Sequence, residues 1–157
     1  MVFIRVALLT GAALAQLTDV AVVFDQYRRH YGQPVVPGRT LAWLTENTAE
    51  GRLAIFTAHR GEDLAGLATA VALPASLRLG CYWQLRDLYV VPGARRCGAG
   101  RALLSAVSQA AVAAGALRVS VQTESGNVAA LQLYRASGFV PVEGLQGLVL
   151  PLHHGDT

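Results

Sequence analysis

The chain has no lysine, two cysteines and few charges, and each shortage removes a class of function. All 13 basic residues are arginines, so a phosphate loop of the Gly-Lys-Ser or Gly-Lys-Thr type is excluded. Cys81 and Cys97 form no C-x-x-C pair and have no histidines at zinc spacing. They predict neither a disulfide framework nor a metal site, and they suit a reducing cytoplasmic compartment. No apolar run reaches the roughly 20 residues of a membrane span. The apolar opening from Val6 to Leu9 follows only one arginine and breaks at Thr10-Gly11. It is expected to be part of the fold rather than a secretory leader. Charged residues make up 15% of the chain, with a net charge of +3. The arginines are scattered rather than striped, which suits a small polyanion and not nucleic acid. The adjacent His153 and His154 read as a solvated tail, not as metal ligands.

What is present is apolar. At 157 residues and 53% hydrophobic composition, residues 1–157 fit one domain around one core. Val2 to Leu8 reads as a strand. Thr10 is placed to cap a helix that carries Leu14, Leu17, Val20, Ala21 and Phe24 at helical spacing and ends near Tyr31-Gly32. Tyr27 and Tyr31, four apart, share a face of that helix. After a two-proline loop comes a helix over Arg39 to Thr48. Two strands, Leu53 to Arg60 and Leu64 to Leu73, then flank Gly61-Glu62-Asp63 as a hairpin. Pro74 to Gly80 reads as a loop and Cys81 to Val91 as the central strand. A helix over Gly98 to Ala114 follows, then a strand over Arg118 to Thr123 and a helix from Asn127 to Ser137. Phe139 to Val142 and Leu145 to Leu152 read as two last strands. The order is βααβββαβαββ, an α/β (α+β) arrangement on a mixed sheet.

The most informative stretch runs from Leu88 to Leu104, as strand, loop and helix. Pro92-Gly93 ends the strand, and two arginines and two glycines lead into a helix free of breakers until Gly115. The first turn of a helix has main-chain N–H groups without intrahelical partners and carries about half a positive charge. Gly98 and Gly100 would let a phosphate approach the backbone, and Arg95, Arg96 and Arg101 add charged donors. The residues by themselves describe a diphosphate seat, although a plain strand-to-helix connection would read similarly.

Arg95-x-x-Gly98-x-Gly100 resembles the pyrophosphate loop of the GNAT superfamily of acetyl-CoA-dependent acetyltransferases. The resemblance continues through Asp87-Leu88-Tyr89-Val90-x-Pro92 before the loop. After it stands Asn127-x-x-Ala130-x-x-Leu133-Tyr134-x-x-x-Gly138-Phe139. It implies a GNAT fold with a bulged central strand splayed from its neighbour near Leu88 to Val90. Acetyl-CoA would lie in the gap, held by Leu88, Val90, Arg95, Arg96, Gly98, Ala99, Gly100, Arg101 and Asn127, with the Val90 N–H polarising the thioester. Tyr134 matches the tyrosine that protonates the leaving sulfur. Arg96 departs from the family, which often has glycine there.

The resemblance further implies an N-acetyltransferase acting on a primary amine of a small acceptor: an amino acid, polyamine, amino sugar or antibiotic. A protein N-terminus or lysine is an alternative, as is a non-catalytic acyl-CoA sensor. Tyr27 and Tyr31, on the helix that walls the family's acceptor pocket, join Trp83 and Glu124 as acceptor-binding candidates. The glutamate that serves many relatives as base aligns with Gln84, which cannot take a proton. Asp87 or Glu124 would serve instead, or the amine would bind already neutral. No metal is expected. A homodimer is, through sheet edges or the apolar Leu145 to Leu152 segment. A doubly wound nucleotide-binding fold would instead require a parallel sheet.

Overall fold

The computed structural model describes residues 3–11 and 14–152. The expected cap at Thr10 adjoins residues 12 and 13, and that cap, Met1 and Val2 and the His153-His154 tail fall outside the description. The elements are β1 (Ile4–Leu8), α1 (Leu14–His30), α2 (Pro37–Ala49), β2 (Ala54–Arg60), β3 (Asp63–Ala75), β4 (Gly80–Val90), α3 (Ala99–Ala113), β5 (Val119–Val121) and α4 (Val128–Ala136). The sheet order is β1-β2-β3-β4-β5. The first four strands are antiparallel and only β4–β5 is parallel, so the doubly wound alternative is excluded.

The alternation of the strands feeds two cores. On one face Ile55, Leu67 and Tyr89 pack against Leu17, Val20 and Phe24 of α1 and Leu44 of α2. On the other, Phe56, Ala58, Ala68, Ala70 and Leu85 pack beneath Leu103, Leu104 and Val107 of α3 and Tyr134 of α4. The three alanines are fully buried and let α3 lie close to the sheet. Gly66 of β3 permits another close approach, since a Cβ there would stand 2.6 Å from the Tyr89 carbonyl oxygen.

Several boundaries move for local reasons. α2 begins at Pro37, because proline's missing N–H costs nothing in a first helical turn. The expected loop over Pro74 to Gly80 is mostly strand: β3 continues to Ala75, and a short 3₁₀ turn, Ser76–Arg78, leads into β4. Beyond Ala70 β3 has no β2 partner, so Pro74 leaves no broken ladder there.

The two last strands do not form. Residues 139–152 join no ladder, and Val140, Val142, Leu145, Leu148, Val149, Leu150 and Leu152 are between 72% and 88% exposed. A strand is defined by its partner, and β5 offers only three paired residues, all of them bonded to β4. The apolar pattern of this segment is real, but nothing else among the described residues covers it.

Candidate functional site

β4 and β5 run together only over Trp83–Leu85 and Val119–Val121. β4 then continues to Val90 paired only with β3, while the segment after β5 turns away through Gln122, Thr123 and Glu124. Between them opens a cleft of about 1180 Å³. The register of β3 with β4 slips at this point: Thr69 faces Asp87 and Ala70 faces Leu85, leaving Arg86 as the extra residue of a bulge. The bulge lies slightly before the expected Leu88 to Val90, and it inverts the parity of β4. Trp83 and Leu85 therefore belong to the α3 face together with Leu88 and Val90, while Tyr89 joins the α1 face. Trp83 packs on Phe56, ring centroids 6.4 Å apart, and is not part of the cleft wall. Val91 gives its N–H to Ala65 of β3 at 2.9 Å. By strand alternation the main-chain groups of Val90 and Leu88 point the other way, into the gap.

One wall of the cleft is the turn into α3. The first hydrogen bond of that helix runs from the Ala102 N–H to the Gly98 carbonyl at 3.0 Å. The N–H groups of Ala99, Gly100 and Arg101 thus precede any intrahelical partner, and Gly98, the N-cap, offers no side chain. All four residues line the cleft with Arg95 and Arg96. The two glycines have different reasons to be there. Gly98 sits at φ +87 with open space where a Cβ would stand, whereas a Cβ on Gly100 would come 3.0 Å from Leu133 of α4. Gly98 thus exposes backbone, and Gly100 seats the helix. Arg95 does not reach outward. Its Nε donates to the Val90 carbonyl at 3.1 Å, and its guanidinium lies 5.8 Å from the Tyr89 ring centre.

Another wall of the cleft is aromatic. Tyr27, His30 and Tyr31 of α1 and Tyr89 of β4 form a closed circuit of rings, with centroids 5.2 Å (Tyr27–Tyr31), 5.2 Å (His30–Tyr31), 6.4 Å (His30–Tyr89) and 5.9 Å (Tyr27–Tyr89) apart. All four line the cleft. The i, i+4 spacing was enough to pair Tyr27 with Tyr31. His30 follows Tyr27 by three and was legible on the same ground, and Tyr89 follows Asp87 by two on the same strand, past the bulge. A latch holds this wall. Arg28 donates to the Asp25 carboxylate at 2.9 Å and to the Pro34 carbonyl at 2.8 Å, and the Thr40 hydroxyl donates to Asp25 at 2.7 Å. Asp25 is buried, and removing one partner of a buried ion pair costs about 3–5 kcal/mol.

Tyr134 is buried and lines the cleft. Burial, with a smaller contribution from Tyr31, raises its pKa above the ordinary 10.0, so it is a neutral phenol and a proton donor at physiological pH. Tyr27 is also pushed well up, by burial first and then by the charge of the Asp87 carboxylate. Asp87 is not on the cleft wall. It accepts a hydrogen bond from the Thr69 hydroxyl. Asn127 caps α4 by accepting from the Ala130 N–H at 3.3 Å, which leaves its amide Nδ2 to donate into the cleft. Glu124 lies on the opposite wall and is exposed.

The profile of the acetyltransferase (GNAT) family matches residues 19–139, from α1 to just past α4. The chain belongs to this family. An uncharacterized N-acetyltransferase of Bacillus subtilis (strain 168), YhfO, is 32% identical over 128 residues, covering 82% of this chain and 86% of that one. The crystal structure of a probable acetyltransferase superposes with a TM-score of 0.87 at 28% identity, over 96% of this chain and 99% of the other. AAC(6')-Iy in complex with the bisubstrate analogue CoA-S-monomethyl-acetylneamine shares the fold, with a TM-score of 0.78 at 20% identity over 96% and 99% of the two chains. The protein is thus a GNAT N-acetyltransferase, and acetyltransferases of this family use acetyl-CoA. The backbone accounts for one departure. Arg96 sits at φ +62, a left-handed conformation that glycine adopts without strain, and glycine is what many GNAT loops have there. This chain accepts the strain and gains a guanidinium on the cleft wall.

Proposed function

We propose that this GNAT enzyme transfers the acetyl group of acetyl-CoA directly to the primary amine of a small acceptor, an amino acid, polyamine, amino sugar or antibiotic, in a ternary complex. The observation that carries this reading is one continuous cleft lined by a main-chain anion seat, a buried phenol and an aromatic wall. Its volume of about 1180 Å³ exceeds the ~300–1,000 Å³ of ordinary ligand pockets, which suits a long donor together with a small acceptor.

The unpartnered N–H groups of Gly98 to Arg101 suit a diphosphate, helped by the side chains of Arg96 and Arg101. The free edge of β4 from Leu88 to Val90 suits an extended pantetheine arm added like a strand, and Asn127 Nδ2 a donor to it. Acetyl-CoA supplies the activated acyl carbon. The Val90 N–H would stabilise charge developing on the carbonyl oxygen, and Tyr134 would give its proton to the departing sulfur.

The apolar segment at residues 139–152 supports a homodimer. Burying one Val or Leu side chain is worth about 1.5–3 kcal/mol, and seven such residues stand exposed on it. The free outer edge of β5 is a natural partner in a second copy. Both cysteines are free, which suits the cytoplasm, and one domain suffices for the reaction.

Titration with acetyl-CoA followed by thiol-release assays against a panel of primary amines tests the reading. Acetyl-CoA binding with turnover of at least one small amine supports it. Turnover only with peptides would move the acceptor to a protein N-terminus or lysine, and binding without turnover of any amine would favour a sensor.

A further inference from the structure

We propose that the acceptor is an amino acid or another amine carrying its own carboxylate, that Arg86 binds this carboxylate, and that polyamines and aminoglycosides are excluded. This deepens the acetyltransferase reading above and rests on it. The charges on the cleft wall point this way. Four arginines, Arg86, Arg95, Arg96 and Arg101, stand there against one carboxylate, Glu124. The Asp87 carboxylate is off the wall and held by Thr69. Three of the arginines have other places. Arg95 donates to the Val90 carbonyl, and Arg96 and Arg101 flank the main-chain seat for the diphosphate. Arg86 is left for the acceptor.

Its place along β4 separates it from that seat. Arg86 precedes Val90 on the strand by roughly 13 Å at the rise of an extended chain, whereas the seat follows Val90. A donor whose diphosphate occupies Gly98 to Arg101 and whose arm runs back along Val90 and Leu88 therefore leads its acetyl group toward Arg86. The split of the sheet begins at the same level, since Leu85 is the last residue of β4 paired with β5. The bulge leaves Arg86 with no β3 residue opposite it. Arg86 is exposed, and among the described residues its guanidinium has no ion pair or hydrogen-bond partner. A free guanidinium offers a carboxylate two parallel N–H donors. The Glu124 carboxylate is likewise unpaired among those residues and suits one ammonium. A zwitterion satisfies both charges, and the aromatic wall of Tyr27, Tyr31 and Tyr89 suits an apolar side chain. A polycation would bring several ammonium groups to a wall with one carboxylate and an unpaired arginine, and like charges set against each other reject a ligand.

The test uses the full chain, acetyl-CoA and matched pairs of L-amino acids and their amides, phenylalanine and leucine among them, with spermidine, kanamycin and a short peptide as competitors. The parent should use its best amino acid with a higher kcat/KM than any competitor. Arg86→Gln should lower the acid-to-amide ratio of kcat/KM by roughly 10–150-fold, the effect of one hydrogen bond to a charged group, with the loss falling on the acid. The different basicity of the two amines cancels when that ratio is compared between proteins, and a partly unfolded preparation does not move it. Arg86→Lys should restore part of the ratio, because an ammonium keeps the charge but not the planar fork. Glu124→Gln should lower kcat/KM for acid and amide alike, since both carry the amine. A parental ratio in Arg86→Gln would overturn the role of Arg86. A parent that prefers spermidine, kanamycin or the peptide would overturn the acceptor class and leave the transferase reading standing. A parent that binds acetyl-CoA but acetylates no amine would overturn the acetyltransferase reading itself, and the acceptor class with it.

Discussion

Replacing Gly98 by alanine separates the grip on the diphosphate from the fold. Gly98 is at φ +87, and an added Cβ would meet no protein atom within 4 Å. The protein would lose only conformational energy: about 1–2 kcal/mol for an L-residue held left-handed, partly offset by about 0.4–1 kcal/mol from a stiffer unfolded chain. A net loss near 1 kcal/mol lowers the melting midpoint by roughly 2–4 °C at this chain length. Binding should suffer far more, because the new methyl group stands where phosphate oxygens would approach the amides. Loss of two charge-assisted hydrogen bonds, at about 1.5–3 kcal/mol each, weakens acetyl-CoA by roughly 10²–10⁴-fold. Gly93→Ala is the control, since Gly93 also has open space around it but no left-handed φ and no place on the cleft wall. Calorimetric titration of both variants checks the affinity. S-acetyl-pantetheine, which has no diphosphate, should be used equally well by the parent and by Gly98→Ala. An equal loss for both donors, or parental acetyl-CoA affinity in folded Gly98→Ala, would refute the placement of the phosphates.

Tyr134→Phe should lower kcat by about 10²–10⁴-fold while acetyl-CoA affinity by titration stays within about threefold; a parental kcat would remove its role as acid. Tyr27 and Tyr134 hold their protons above the ordinary phenol value of 10.0. Above about pH 10 the unfolded chain therefore releases protons that the native chain keeps, and stability should fall as pH rises, with no effect of these two groups below that window. Absorbance at 295 nm should accordingly show fewer than all five tyrosines ionising before the protein unfolds, and Tyr27→Phe and Tyr134→Phe should each remove one delayed step. Ending the chain after Glu143 should convert a dimer to a monomer by light scattering, and a full-length chain that is monomeric at tens of micromolar would exclude the pairing.

What could be read in the sequence was what depends on neighbours along the chain. An anion seat needs a strand end, glycines and a helix start in sequence, and Arg95 to Arg101 has all three in order. Tyr27 and Tyr31 share a face because a helix turns every 3.6 residues wherever it is placed. What could not be read depends on strand partners. Trp83 pointed toward the pocket only if β4 alternated without interruption, and the bulge at Arg86, visible only against β3, turned it to the α3 core. Phe139 to Val142 and Leu145 to Leu152 have strand composition, but a ladder needs a second strand, and no described residue offers one. Asp87 could be named as a candidate carboxylate, whereas its hold by Thr69, 18 residues earlier, required the pairing register. The chemistry divides along the same line. Donor binding rests on local backbone and follows from a motif, while acceptor chemistry rests on contacts between α1, β3 and β4, which is why the acceptor half of the site had to be read from the fold.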